Sequence, residues 1–133
     1  HFARVRQVDT MKRKQFIKGI NQIEQEGAIQ IFQEYNTGME EIIVGVVGVL
    51  QFDVLKYRLN NEYNVEIRME NLPYEHIRWI ENEEINLDKL SGTSDMKKIK
   101  DLKGNPLLLF VNAWSVGMVE DRNPDLVLTE FSK

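Results

Sequence analysis

Between Gly45 and Val65 the chain reads GVVGVLQFDVLKYRLNNEYNV, and its apolar residues fall where an ordinary surface helix does not put them. At about 100° per residue, Leu50, Val54 and Tyr57 form one stripe, while Phe52, Leu55 and Leu59 form another nearly opposite. A helix lying on one sheet needs a single stripe of this kind. One stripe must therefore meet a sheet. The other needs a cover, either from the C-terminal half of the chain or from a neighbouring domain of a parent protein. Gln51, Arg58 and Glu62 line one polar seam between the stripes, and Asp53, Lys56 and Asn60 line the other.

The flanking segments supply the sheet. Phe2 to Val8 reads as a strand, and Asp9 as the N-cap of a helix over residues 10–26, with Phe16, Ile17, Ile20 and Ile23 at helical spacing and Gly27 as the stop. Lys14, Lys18, Asn21, Gln22 and Gln25 fall opposite that stripe. Ala28 to Tyr35 and Glu41 to Val47 read as strands joined by the turn signal Asn36-Thr37-Gly38. The run Ile42-Ile43-Val44 lacks alternation, as in a central strand covered on both faces. Val65, Ile67 and Met69 alternate with Glu66, Arg68 and Glu70, the pattern of an edge strand with one wet face.

Residues 1–70 thus read strand, helix, strand, strand, helix, strand, the split βαβ arrangement of ferredoxin-like folds. Residues 71–133 are less regular. They predict a strand near Ile77–Ile80, helical segments around Ile85–Leu90 and Thr93–Leu102, and a buried strand at Leu107–Val111. A short helix from Ala113 to about Glu120, a turn at Arg122-Asn123-Pro124-Asp125 and a last strand at Leu126–Phe131 follow. The expected fold class is α+β: a ferredoxin-like βαββαβ lobe followed by a smaller α/β C-terminal lobe packed on it, together one domain over residues 1–133.

A chain of 133 residues with 42% hydrophobic composition can build one real core. Its net charge of −4 argues against a surface devoted entirely to nucleic acid, although charge is uneven: residues 1–26 hold six basic and three acidic side chains, and residues 62–90 hold three and eight. Cysteine is absent, which excludes a disulfide framework, a thiolate zinc site and a thiol nucleophile, and fits a reducing cytoplasm. No apolar run approaches the ~20 residues that span a bilayer, so no membrane partner is expected. The chain opens at His1 inside a strand pattern, and a fragment of a longer protein is expected.

Catalytic signatures are missing. No Gly-x-x-x-x-Gly-Lys-Ser/Thr loop occurs, Gly45 and Gly48 read as a strand-to-helix corner rather than a dinucleotide fingerprint, and two histidines, His1 and His76, do not make a metal cluster. The acidic groups at Glu24–Glu26, Glu40–Glu41 and Glu81–Glu84 read as solvated faces and turns, and Trp79 and Trp114 as core or interface packing. The basic groups Lys12-Arg13-Lys14 with Lys18, and Lys97, Lys98, Lys100 and Lys103, are the candidates for contact with a polyanion. On a ferredoxin-like lobe, base-stacking RNA recognition needs aromatics on the third strand, and Glu41–Gly45 has none. A phosphatase of this fold needs an anion loop with arginine after the first strand, which Gln7–Met11 does not provide. A ligand-sensing module remains open.

Several motifs occur together in one order. They are Lys14-Gln15-Phe16 with Lys18-Gly19, then Glu26 to Phe32, and then Gly48 to Val54 with Arg58-Leu59 and Glu62 to Val65. Arg78-Trp79, Asn112-Ala113-Trp114 and Glu120 to Asp125 complete the set. The whole resembles the third, C-terminal domain of bacterial peptide chain release factor three, a translational GTPase of the elongation factor G-like family. Two departures stand out: Asp121 precedes Arg122 in the closing motif, and residues 81–103 follow no family pattern.

The resemblance implies the docking part of a termination GTPase that binds the ribosome through the small subunit and promotes dissociation and recycling of class I release factors in the cytoplasm. GTP and Mg2+ would be bound by the parent, whose GTPase and β-barrel domains lie upstream and pack against this one. The fragment itself would be non-enzymatic, with no catalytic, cofactor or metal residues. Lys12, Arg13, Lys14 and Lys18 are the expected ribosome contacts, and Gln51, Arg58, Arg78 and Trp79 the expected interlayer or interdomain residues. The alternative is a free-standing ligand-sensing or protein-interaction module of the same fold.

Overall fold

The computed structural model describes residues 1–35 and 41–131. The chain divides into two compact units, His1–Leu72 and Pro73–Lys133, and its fold class is α+β.

In the first unit the order is β1 (Phe2–Gln7), α1 (Arg13–Gln25), β2 (Gln30–Glu34), β3 (Glu41–Gly45), α2 (Leu50–Tyr63) and β4 (Ile67–Leu72). The strands lie in the order β4-β1-β3-β2 with every neighbouring pair antiparallel, the ferredoxin-like arrangement. The unalternating strand β3 is central, between β1 and β2, and the alternating strand β4 pairs with β1. The predicted turn at Asn36-Thr37-Gly38 lies outside the described residues.

Local chemistry sets the boundaries. The Asp9 carboxylate accepts the Met11 amide at 2.9 Å and starts a 3₁₀ turn, Thr10–Lys12, that leads into α1. Gly27, at φ 82°, takes the left-handed conformation after α1 that a Cβ would oppose. Asn64 does the same after α2 at φ 56°, a role asparagine tolerates. Gly45 serves another purpose, because a Cβ there would meet the Phe2 ring at 3.1 Å across the β1–β3 ladder.

One face of this sheet forms the core with the helices: Ala3, Val5, Ile31, Ile42, Val44 and Ile67 pack against Phe16, Ile20 and Ile23 of α1 and Phe52, Leu55 and Leu59 of α2. The two helices meet closely at Gly19, where the absence of a side chain admits Leu59 and the Tyr63 ring.

The second unit contains β5 (His76–Ile80), a 3₁₀ turn at Leu87–Lys89, β6 (Met96–Asp101), β7 (Pro106–Phe110), α3 (Ala113–Arg122) and β8 (Leu128–Thr129). Its strands run β6-β7-β5-β8, again antiparallel. Residues Leu107–Phe110 of β7 are buried between two neighbours, which explains the continuous apolar run. Asn112 caps α3 by accepting the Ser115 amide at 2.9 Å.

Two predicted elements change here. The helix expected over Thr93–Leu102 is strand β6, paired through Lys97↔Leu109 and Ile99↔Leu107. Its companion around Ile85–Leu90 is a single 3₁₀ turn. The last strand is shorter than the predicted Leu126–Phe131, since Leu126 is held in a turn by a bond from its amide to the Asn123 carbonyl.

Candidate functional site

The basic end of α1 is assembled against the usual electrostatics of a helix. Arg13 and Lys14 occupy the first turn, where the helix dipole favours anions, and no acidic side chain stands there. Lys14 and Lys18 are one turn apart on the exposed face. Like charges at that spacing repel by a few tenths of a kcal/mol. Neither ammonium makes an ion pair or hydrogen bond among the described residues. The cluster therefore weakens its own helix slightly, and the arrangement suits an external anion. Lys12 differs, because its ammonium donates to the Asn64 carbonyl at 3.0 Å and pins the end of α2 to the start of α1. Arg13 is half-buried and has a partner within the domain.

The residues assigned to seams fall into separate settings. Arg58 donates to Glu62 on its own helix and to Glu26 at the end of α1, both at 2.6 Å. Hydrogen bonds to Glu62 and then Glu26 raise its guanidinium pKa above the ordinary value. Gln51 turns back to the chain before α2, where its side-chain carbonyl accepts the amides of Val47 at 3.1 Å and Gly48 at 3.2 Å. Arg78 lies on β5 in the second unit, with Glu130 at 3.3 Å, and Trp79 beside it is buried. Gln51 and Arg58 thus have separate partners within the first unit, and Arg78 and Trp79 belong to the second.

The two stripes of α2 separate cleanly. Phe52, Leu55 and Leu59 are buried, whereas Leu50, Val54 and Tyr57 are exposed together with Val47 and Val49. Of the second lysine group, Lys97, Lys98 and Lys100 lie on strand β6 and Lys103 in the turn after it; Lys98 donates to the carbonyls of Leu87 and Leu90, and Lys97 also has a partner. Among the described residues no group of three or more His, Asp or Glu side chains could hold a metal ion, and no helix is long and apolar enough to cross a membrane.

The family model for the class II release factor RF3, C-terminal domain, matches residues 1–120. The chain belongs to this family. Among curated relatives, the peptide chain release factor 3 of Symbiobacterium thermophilum is 43% identical over 96% of this chain. Those of Lactobacillus acidophilus and Listeria welshimeri are each 44% identical, over 97% and 98% of it. In every case the matched part is 24% of the relative's length, so the chain spans about a quarter of the relatives it matches.

One functional-looking cluster was not singled out in the sequence. Arg4 projects from the centre of β1 on the face away from the helices and donates to Glu34 on β2 at 2.7 Å and Glu70 on β4 at 2.9 Å. The bond to Glu34 is the main cause of its raised pKa. Period-two reading places Arg4 and Glu70 on one face, but their contact requires the strand order. Of the two tryptophans read as core or interface packing, Trp79 is buried, whereas Trp114 is 66% exposed at the start of α3 and does not pack in the core.

Proposed function

We propose that this domain is a non-catalytic docking body at the C-terminal end of a translation termination GTPase, and that it helps the full-length factor bind the small ribosomal subunit and release class I release factors. Family membership and the relatives' name, peptide chain release factor 3, support the termination role over a free-standing ligand-sensing module. GTP and Mg2+ belong in this reading to domains upstream, because the chain lacks a phosphate loop. The factor would act in the cytoplasm.

The observation that carries the docking role is the basic first turn of α1, with Lys14 and Lys18 exposed, mutually repelling and unpaired among the described residues. Ribosomal RNA phosphates would relieve that repulsion and release counterions on binding. Arg13 contributes at the margin, and Lys12 chiefly holds Asn64. In physical terms the domain is a packed module whose placement on the ribosome is biased by upstream domains in different nucleotide states.

The test is co-sedimentation of the full-length factor with ribosomes across a salt series, comparing wild type with the Lys14→Glu, Lys18→Glu double variant. Binding should weaken, and the slope of log affinity against log salt should become shallower by about 0.7–0.9 for each phosphate that the variant no longer neutralises. Equal affinity at all salt concentrations would remove α1 from the ribosome interface.

A further inference from the structure

Strand β4 is bonded on one side only. Val8 N donates to Glu66 O at 3.0 Å, and because antiparallel pairs alternate, Arg6↔Arg68, Arg4↔Glu70 and Phe2↔Leu72 are the pairs that exchange backbone bonds with β1. The amides and carbonyls of Ile67, Met69 and Asn71 therefore point the other way, where no strand lies among the described residues. Edges of this kind are templates for another strand unless a proline, a bulge or repelling charge blunts them. Here every residue of Ile67–Leu72 keeps its partner on β1 without a bulge, and proline is absent until Pro73. The two charges, Arg68 and Glu70, are of opposite sign. On the helix side a groove of about 510 Å³, lined by Asp53, Lys56, Asn60 and Glu66 among others, runs between α2 and Ile67, so the helix does not roof the edge.

The charges on the face away from the helices define what fits. Arg68 stands directly opposite Arg6, a like charge that costs stability, and Arg6 pairs instead with Glu41 at 3.4 Å. The Arg68 side chain has no ion pair or hydrogen bond among the described residues. Glu70, 64% exposed, is held from the β1 side by Arg4 at 2.9 Å. A strand added to β4 is matched best when it sets an acid opposite Arg68 and a base opposite Glu70, two positions apart. The segment Arg68-Met69-Glu70, run antiparallel to itself, is such a strand.

We propose that two copies of the factor associate through β4, antiparallel about a two-fold axis at Met69. Met69 then pairs with Met69 of the second copy and Ile67 with Asn71, which joins the outward backbone groups of both strands. Arg68 comes opposite Glu70 in both directions. The adjacent registers that also match donors to acceptors set Arg68 against Arg68 or Glu70 against Glu70, so charge selects this one. The contact is isologous, as two-fold dimers require. Six residues span only about 20 Å, short for a standard interface of about 1,600 Å², so the dimer is weak and reversible. It draws on neither the basic turn of α1 nor ribosome binding.

The experiment is sedimentation equilibrium of the full-length factor, without ribosomes, over a concentration series reaching about 0.3 mM, the range that weak association requires. Mean mass should rise toward that of a dimer. Arg68→Glu, which spares the fold by placing a carboxylate opposite Arg6, sets acid against acid across the axis and should raise the dimer Kd at least about tenfold. Glu70→Arg should do the same, and a mixture of the two variants should associate again, because each offers the charges that the other lacks. In wild type, deuterium uptake of the peptide containing Ile67–Leu72 should slow as concentration rises, a readout that needs no variant. A factor that stays monomeric, a dimer indifferent to Arg68→Glu, or a mixture of the folded variants that stays monomeric would each overturn the proposal. Uptake slowed only by added ribosomes would overturn it too, assigning the edge to a ribosomal strand and leaving the docking role in place.

Discussion

Arg58 on α2 donates to Glu26 Oε2 at 2.6 Å, tying the second helix to the residue that closes the first. The same guanidinium reaches Glu62 one turn along α2. All three side chains touch water, so their pairing is screened and contributes modestly, about 1 kcal/mol for the whole cluster. Arg58→Ala should cost that much in urea denaturation at low salt, with most of the loss disappearing at 1 M salt.

The pH behaviour of that cost follows from the raised pKa. A cation stabilised in the folded state contributes fully at all pH values below its ordinary unfolded-state pKa, which for a guanidinium lies far above neutrality, and loses the contribution only as pH rises beyond it. The difference between wild type and Arg58→Ala should therefore be equal at pH 7 and pH 9. A difference that shrinks between these values would show that another group dominates.

Gly19 tests the helix contact. On propensity alone, alanine in place of glycine within α1 gains about 1 kcal/mol. A Cβ at this position, however, would lie 2.7 Å from Leu59 Cδ2 and 2.9 Å from the Tyr63 ring, and overpacking of this kind costs about 1–3 kcal/mol. Gly19→Ala should lower stability by about 1 kcal/mol net, and Gly19→Val by more, as read from denaturation midpoints. A stabilised Gly19→Ala variant would contradict the close approach.

The two stripes of α2 predict opposite responses to the same chemistry. Leu59 is fully buried, so Leu59→Ala should cost about 2–5 kcal/mol. Leu50→Ala, at an exposed site, should stay within about 0.5 kcal/mol in the 133-residue chain. Thermal or urea unfolding of the two variants makes the comparison.

Much of the first unit is legible in its residues because each local signal agrees with the packing. The Asp9 cap, the Gly27 stop, the alternation at Ile67 and Met69 and the unbroken Ile42-Ile43-Val44 run all point to the observed elements. The misread strand β6 shows the opposite case. Lysine and methionine favour helix locally, but pairing with buried β7 overrides that weak preference, and Ile99 supplies the one buried side chain. A readable signal was present in Asp101-Leu102-Lys103-Gly104-Asn105. The Asp101 carboxylate accepts the amides of Lys103 and Asn105 and Gly104 takes φ 87°, a tight turn that here joins β6 to the buried apolar strand β7.

For the candidate site, sequence identified the basic group and the second apolar stripe but could not divide their members. Lys12 and Lys14 look alike in the sequence. Only the fold brings Asn64 under Lys12 and leaves Lys14 in water. The Arg4 cluster was hidden for the same reason, since its acids come from strands 30 and 66 residues away.

The central claim is that this domain docks a termination factor on the ribosome through α1. Its most direct measurement is the rate at which the full-length factor with GTP removes a fluorescently labelled class I release factor from ribosomes after peptide release. At near-physiological salt the Lys14→Glu, Lys18→Glu variant should be slower than wild type by at least about tenfold, the equivalent of about 1.4 kcal/mol, and the gap should narrow as salt rises. Identical rates for the two proteins at every salt concentration would contradict the account.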